Sequence, residues 1–263
     1  MMVSAGPCRV LRRMSIVAGL AFALVMPQAL FAATAGPPAR ERKGSADPRP
    51  KRVKKGKAGK ATPVLIPAAA PVPLPAPSEA TARLLTWVAA AHDNGRLPYI
   101  VIDKQSASLF LFGAKGDLIG QVPVLLGVGV GDDSSPGVGA KSLAEIGPAE
   151  RTTPAGRFVA RFGRAFGGQR VLWVDYANSV AIHAVITTNK KEQRVQRLLS
   201  PTPDDNRITF GCVNVGTSFY SKKLRPLFQR KGGIVYILPD TRPLDDVFPR
   251  VRLAPYLGDA APN

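Results

Sequence analysis

Tyr99-Ile100-Val101-Ile102-Asp103 and Ser108-Leu109-Phe110-Leu111-Phe112 are short runs of β-branched, aliphatic and aromatic residues, and Gly113 to Asp117 follows as a turn. Runs of this length, rich in those side chains and closed by turn formers, are strands rather than helices. The same reading extends outward to Leu118–Val128, Phe158–Phe162, Val171–Asp175, Val180–Val185 and Gly233–Leu238, while Thr217–Gln229 alone reads as a helix among them. Many short strands and few helices predict a mainly β, mainly antiparallel domain over residues 98–240, large enough for one core.

Upstream of the strands, residues 78–97 predict one leading helix. Ser78 is a good N-cap and Glu79 suits the positive end of the helix dipole. Leu84, Val88 and Ala91 share a face, and Asp93-Asn94-Gly95 ends the helix, with Gly95 fitted to a left-handed position. His92 falls in the last turn, where a positive imidazole would meet the dipole favourably. Residues 36–77 read as a disordered linker: a basic run, then prolines at 63, 67, 71, 73, 75 and 77 as an extended spacer. Residues 1–35 read as an export signal. Arg9, Arg12 and Arg13 precede the apolar run Ile16–Met26, and Ala33-Thr34-Ala35 offers a cleavage pattern. That apolar run is well short of the ~20 residues a membrane span needs. Residues 241–263 form a tail.

The formal net charge is +18, of which the stretch from Arg40 to Lys60 holds a net eight. Such a run suits an anionic wall polymer or a membrane surface, or else is a solvated tether. Nucleic acid is not expected as a partner, since export takes the chain away from it and no recognition motif accompanies the charge. Gly127, Gly129 and Gly131 do not complete a dinucleotide fingerprint, because Asp132 stands where the last glycine belongs. Gly131 to Arg151 instead reads as a flexible loop over one end of the sheet. No zinc-ligand spacing occurs, so a metal is not expected, and no G-x-S-x-G marks a serine hydrolase.

With the export signal removed, Cys212 is the single cysteine, in Thr209-Phe210-Gly211-Cys212-Val213-Asn214. A lone thiol cannot form an intramolecular disulfide. It is a nucleophile or an inert core residue, and a nucleophile needs a base or a positive neighbour to ionise. His183, 29 positions earlier at the end of an apolar strand, is the candidate base. Gly211 would let the backbone approach a substrate, and the N–H of Cys212 could help bind an oxyanion.

Four segments resemble the YkuD-type L,D-transpeptidase domain of bacterial cell-wall enzymes: Ile100–Lys104, Thr152–Phe158, Ile182-His183 and Thr209-x-Gly211-Cys212-Val213-Asn214. The resemblance implies a β-sandwich-like catalytic domain over 98–240, no cofactor, and peptidoglycan stem peptides as substrate in the periplasm or cell wall. It implies Cys212 as nucleophile, His183 as base, and the main-chain carbonyl of Ala184 as the third member. The reaction implied is attack beside a terminal D-alanine, which leaves, followed by 3-3 cross-linking to a second stem. Thr209, Phe210, Gly211, Asn214 and Arg207 are the expected oxyanion or substrate neighbours. Three features depart from the family: Phe210 stands where a histidine is frequent, Asn214 where many members have arginine, and Thr187–Arg207 lengthens the His183–Cys212 interval. That stretch is a lid or an ordinary charged loop. Water as acceptor would make an L,D-carboxypeptidase, and a protein lysine would make an enzyme that forms or cleaves a peptidoglycan–protein link. Lost catalysis would leave a wall-binding module.

Overall fold

The computed structural model describes residues 74–257. The expected export signal, residues 36–73 of the linker, and residues 258–263 lie outside them. Nine strands occur among the described residues: β1 (Tyr99–Asp103), β2 (Ser108–Phe112), β3 (Leu118–Gly127), β4 (Gly156–Arg164), β5 (Arg170–Asp175), β6 (Val180–Ala184), β7 (Arg207–Thr209), β8 (Val213–Val215) and β9 (Gly233–Ile237). Their order is β2-β1-β9-β4-β5-β6-β8-β3-β7, and β3 also pairs with β2, so the sheet closes on itself.

Two long strands make the closure. β4 pairs with β9 through Gly156–Ala160 and with β5 through Arg161–Arg164. β3 pairs with β2 from Leu118 to Pro123 and with β8 at Val124 and Leu125. Each passes from one layer to the other at a corner, so the sandwich is a single continuous sheet. The fold is mainly β, as the sequence predicts. Its pairing is mixed: β1–β9, β6–β8 and β3–β7 are parallel and the other pairs antiparallel.

Alternation along the strands divides the core. Ile100 and Ile102 of β1 join Leu109, Leu111, Leu172, Ile182, Val213 and Val235 inside the sandwich. Tyr99 and Val101 join Phe110, Tyr236 and the helix residues Leu84, Trp87 and Val88 on the other side. Helix α1 (Glu79–Ala91) therefore covers the outer face of that layer. Burial on both faces explains why β1, β2 and β9 read as continuous apolar runs. Burying Leu84 and Val88 stabilises the helix by about 2 kcal/mol each. Leu244, Phe248, Val251 and Ala254, in the 241–263 stretch, are buried in the same cluster.

Ser78 caps α1, its hydroxyl accepting from the Thr81 amide at 3.1 Å. The helix stops at Ala91, earlier than Gly95, because His92 itself turns left-handed with φ 50°. His92 is thus the C-cap and not a last-turn residue. The expected helix at Thr217–Gln229 runs through Thr217–Phe219, Tyr220–Leu224 and Arg225–Phe228, the middle part widened to π geometry. Pro226 accounts for the widening: its ring crowds the carbonyl four residues back, and it donates no hydrogen bond. Leu224 and Phe228 are fully buried in the sandwich core. Among the described residues no helix is long and apolar enough to cross a membrane.

Candidate active site

β6 and β8 run parallel, with Ile182 opposite Val213, His183 opposite Asn214 and Ala184 opposite Val215. Ile182, Val213 and Val215 face the core. Strand alternation therefore turns His183, Asn214 and Cys212 to the outer face together. A strand spacing of ~4.8 Å and a rise of ~3.3 Å per residue put the backbones of His183 and Cys212 roughly 8 Å apart, within side-chain reach.

The hydrogen-bond partners of His183 determine its tautomer. Nδ1 lies 2.9 Å from the Ala184 carbonyl oxygen, which only accepts, so Nδ1 carries the proton. Nε2 lies 3.1 Å from Nδ2 of Asn214, which donates, so Nε2 holds its lone pair. Burial lowers the pKa of His183 below 6.5, against the pull of the Ala184 carbonyl, and the Arg194 charge lowers it further. The ring is a neutral base with its basic nitrogen on the site side.

Cys212 is half-buried and free of disulfide. Its thiol donates to the Ser179 carbonyl at 3.5 Å. Burial raises its pKa above 9.0, with the Ala181 backbone and the Arg194 charge pulling the other way. At rest both groups are neutral, the thiol bonded to the Ser179 carbonyl and Nε2 to the Asn214 amide.

The turn before Cys212 is tied at three points. Thr209 Oγ1 donates to the Cys212 carbonyl at 2.6 Å and accepts from the Gly211 amide at 3.2 Å. Thr153 Oγ1 donates to the Gly211 carbonyl at 2.9 Å. Gly211 has φ 115°, and a Cβ there would sit 2.7 Å from the Thr152 carbonyl oxygen. Glycine is required at this position on both counts.

Behind Thr153 lies a buried charge cluster. Lys104 Nζ donates to the carbonyls of Thr153 at 2.9 Å and Gly131 at 2.6 Å. It also meets Asp132 at 3.0 Å and Asp240 at 3.3 Å, with every side chain almost fully buried. Burial opposes the Asp132 charge, but the Thr241 hydroxyl, the Asp240 and Arg242 amides and Lys104 together hold its pKa well below 3.8. Arg207, an expected substrate neighbour, is drawn into this cluster and pairs with Asp240 at 2.7 Å. Phe210 carries the Arg151 guanidinium 4.0 Å above its ring, and Arg151 also donates to the Ile146 carbonyl.

Thr209, Gly211, Cys212, His183, Ala184 and Asn214 thus come together, Phe210 lies beside them under Arg151, and Arg207 points into the buried cluster. Sequence reading missed the parts played by Arg194, Arg151 and Ser179, which are remote in the chain and have no motif. The Thr187–Arg207 stretch contains helix α2 (Arg194–Leu198), with Leu198 buried. Arg194 NH1 donates to Asn214 Oδ1 at 2.9 Å, and its Nε pairs with Glu192. Ser179, whose carbonyl takes the thiol, donates its hydroxyl to Gly139 of the Gly131–Arg151 loop at 3.2 Å. No group of acidic, histidine or cysteine side chains among the described residues could hold a metal ion.

No family model matches the chain, and no curated protein does. Among solved structures, an L,D-transpeptidase from Xylanimonas cellulosilytica is 15% identical with a TM-score of 0.33, the match covering 54% of this chain and 60% of that one. The catalytic domain of an E. faecium L,D-transpeptidase is 17% identical with a TM-score of 0.32, covering 54% of this chain and 96% of that one. An L,D-transpeptidase from Stackebrandtia nassauensis is 15% identical with a TM-score of 0.34, covering 62% and 68%. The chain therefore spans less than two thirds of the length of the first of these.

Proposed function

We propose that this chain is a cysteine acyltransferase acting on peptidoglycan stem peptides outside the cytoplasm, releasing D-alanine and forming 3-3 cross-links. The observation that carries it is the pairing of β6 with β8, which brings Cys212, just before β8, within side-chain reach of an imidazole protonated at Nδ1 and basic at Nε2. The peptide substrate comes from the sequence resemblance.

In this reading the Asn214 amide first releases Nε2, whose single lone pair it holds at rest, and the thiol proton then passes to Nε2 of His183 as sulfur attacks the carbonyl before the terminal D-alanine. The Cys212 N–H helps hold the oxyanion. The C–N bond breaks, the imidazolium proton goes to the departing amine, and a thioester remains. A side-chain amine of a second stem attacks the thioester, its proton passes through His183, and the thiol is regenerated. The Ala184 carbonyl keeps Nδ1 as donor and stabilises the imidazolium between steps. The basic run Arg40–Lys60 is a contact for an anionic wall polymer or membrane surface, a reading that rests on its charge.

Incubation with disaccharide tetrapeptides and mass analysis of the products tests the reaction. Dimers that lack one D-alanine support it, tripeptides alone indicate an L,D-carboxypeptidase, and unchanged substrate removes the enzymatic reading. The contact of Sγ with Ser179 rather than with His183 is what favours the alternative, a wall-binding module without catalysis.

A further inference from the structure

Arg194, Asn214, His183 and Ala184 form a line of hydrogen bonds whose two ends are each unambiguous. A guanidinium only donates, so the atom of Asn214 that meets Arg194 NH1 at 2.9 Å is the carbonyl oxygen. The amide nitrogen is therefore turned to His183, and Nε2 must accept. At the other end a carbonyl only accepts, so Nδ1 must donate. The two ends independently require the same tautomer. Were Asn214 to rotate, its oxygen would face Nε2, favouring a proton there and leaving Nδ1 and the Ala184 oxygen as two lone pairs 2.9 Å apart.

We propose that Arg194, delivered by the Thr187–Arg207 stretch, is a positioning residue that fixes the Asn214 amide and, through it, the reactive tautomer of His183. The inference rests on His183 being the base of the acyl transfer. The guanidinium is itself held in place, since the Arg194 side chain is 13% exposed and Glu192 binds its Nε while NH1 reaches Asn214. Its charge acts in the same sense, because a cation on this face disfavours an imidazolium and favours a thiolate. Cys212, just before β8, is the titratable neighbour, and Glu192 partly offsets the Arg194 charge from the same segment.

The chain has two histidines, His92 and His183, so imidazole nitrogen resonances in a ¹⁵N-histidine-labelled sample are assignable. Wild type should show His183 protonated at Nδ1. Arg194→Met should move it toward the Nε2–H form, raise its pKa, and slow carbapenem acylation of Cys212 about tenfold, part of the roughly 10²–10⁴-fold that a positioned base contributes. Arg194→Lys, which keeps the charge, should recover part of the rate. Should Arg194→Met fail to fold, Glu192→Gln, which frees the guanidinium but keeps its charge, should give a smaller tautomer shift toward the Nε2–H form without the rise in pKa. A His183 already protonated at Nε2 in wild type, or unchanged tautomer and acylation rate in both Arg194→Met and Glu192→Gln, would overturn the role. A wild type that acylates normally while the variants match it sinks only Arg194, whereas a wild type that takes no acyl group sinks the acyl-transfer reading itself.

Discussion

At the scale of single residues, burial acts in opposite directions on the two reacting groups. It raises the Cys212 pKa above 9.0 and lowers that of His183 below 6.5, so between those pH values both are neutral. Acylation then depends on a base that stays neutral until it takes the thiol proton, and its rate should fall only as pH drops through the lowered His183 pKa. Unfolded chain takes up a proton on His183 below pH 6.5 that the folded chain refuses, and loses one from Cys212 above 9.0 that the folded chain keeps. Both groups therefore favour the fold most between these limits and cost stability outside them. A pH–rate profile of acylation with its acid limb at or above pH 7 would contradict this. Gly211 gives a second prediction. Alanine there meets a positive φ and the Thr152 carbonyl at once, so Gly211→Ala should reduce acylation at least tenfold while costing stability about 1–3 kcal/mol. Wild-type acylation in that variant would mean that the turn does not position the sulfur.

Among elements, the loops at the strand ends depend on Lys104, which follows β1 and stands out in the sequence only as the last residue of a resembling segment. Its ammonium gathers Gly131, Asp132, Thr153 and Asp240 from three separate stretches, and Thr153 then holds Gly211. Lys104→Met strands two buried carboxylates, and breaking such a group costs about 3–5 kcal/mol, a Tm loss of roughly 10 °C for a domain this size. Calorimetry that finds the variant within a degree or two of wild type would remove the staple role. The depressed Asp132 pKa has a stated sign: its contribution is present above pH 3.8 and is lost as pH falls below that value. Strands of five residues and more were legible because apolar runs and turns bracket them. β7 and β8 were not, because three residues show no alternation and their pairings, β3–β7 and β6–β8, are parallel and non-local. The π-widened helix was legible as a helix, and Pro226 was the available sign of its distortion.

For the molecule as a whole, closure of the sheet through β3 and β4 brings distant segments to one outer face. Cys212 and His183 could be picked out beforehand, since one carries a rare side chain in a glycine turn and the other ends an apolar strand. Arg194 and Arg151 could not, because nothing in a charged stretch tells which guanidinium turns inward until the fold supplies Asn214 and Phe210 as partners. Arg207 looked equally suited and was taken by Asp240 instead. Acyl transfer on that face requires a sulfur that can ionise and be reached. The most direct measurement is the intact mass of the protein after exposure to a carbapenem, with the adduct mapped by peptide analysis. One acyl group on Cys212, absent in Cys212→Ser and lost or greatly slowed in His183→Ala, is the expected result. No adduct on wild-type protein, or one that persists at full rate without His183, would contradict it.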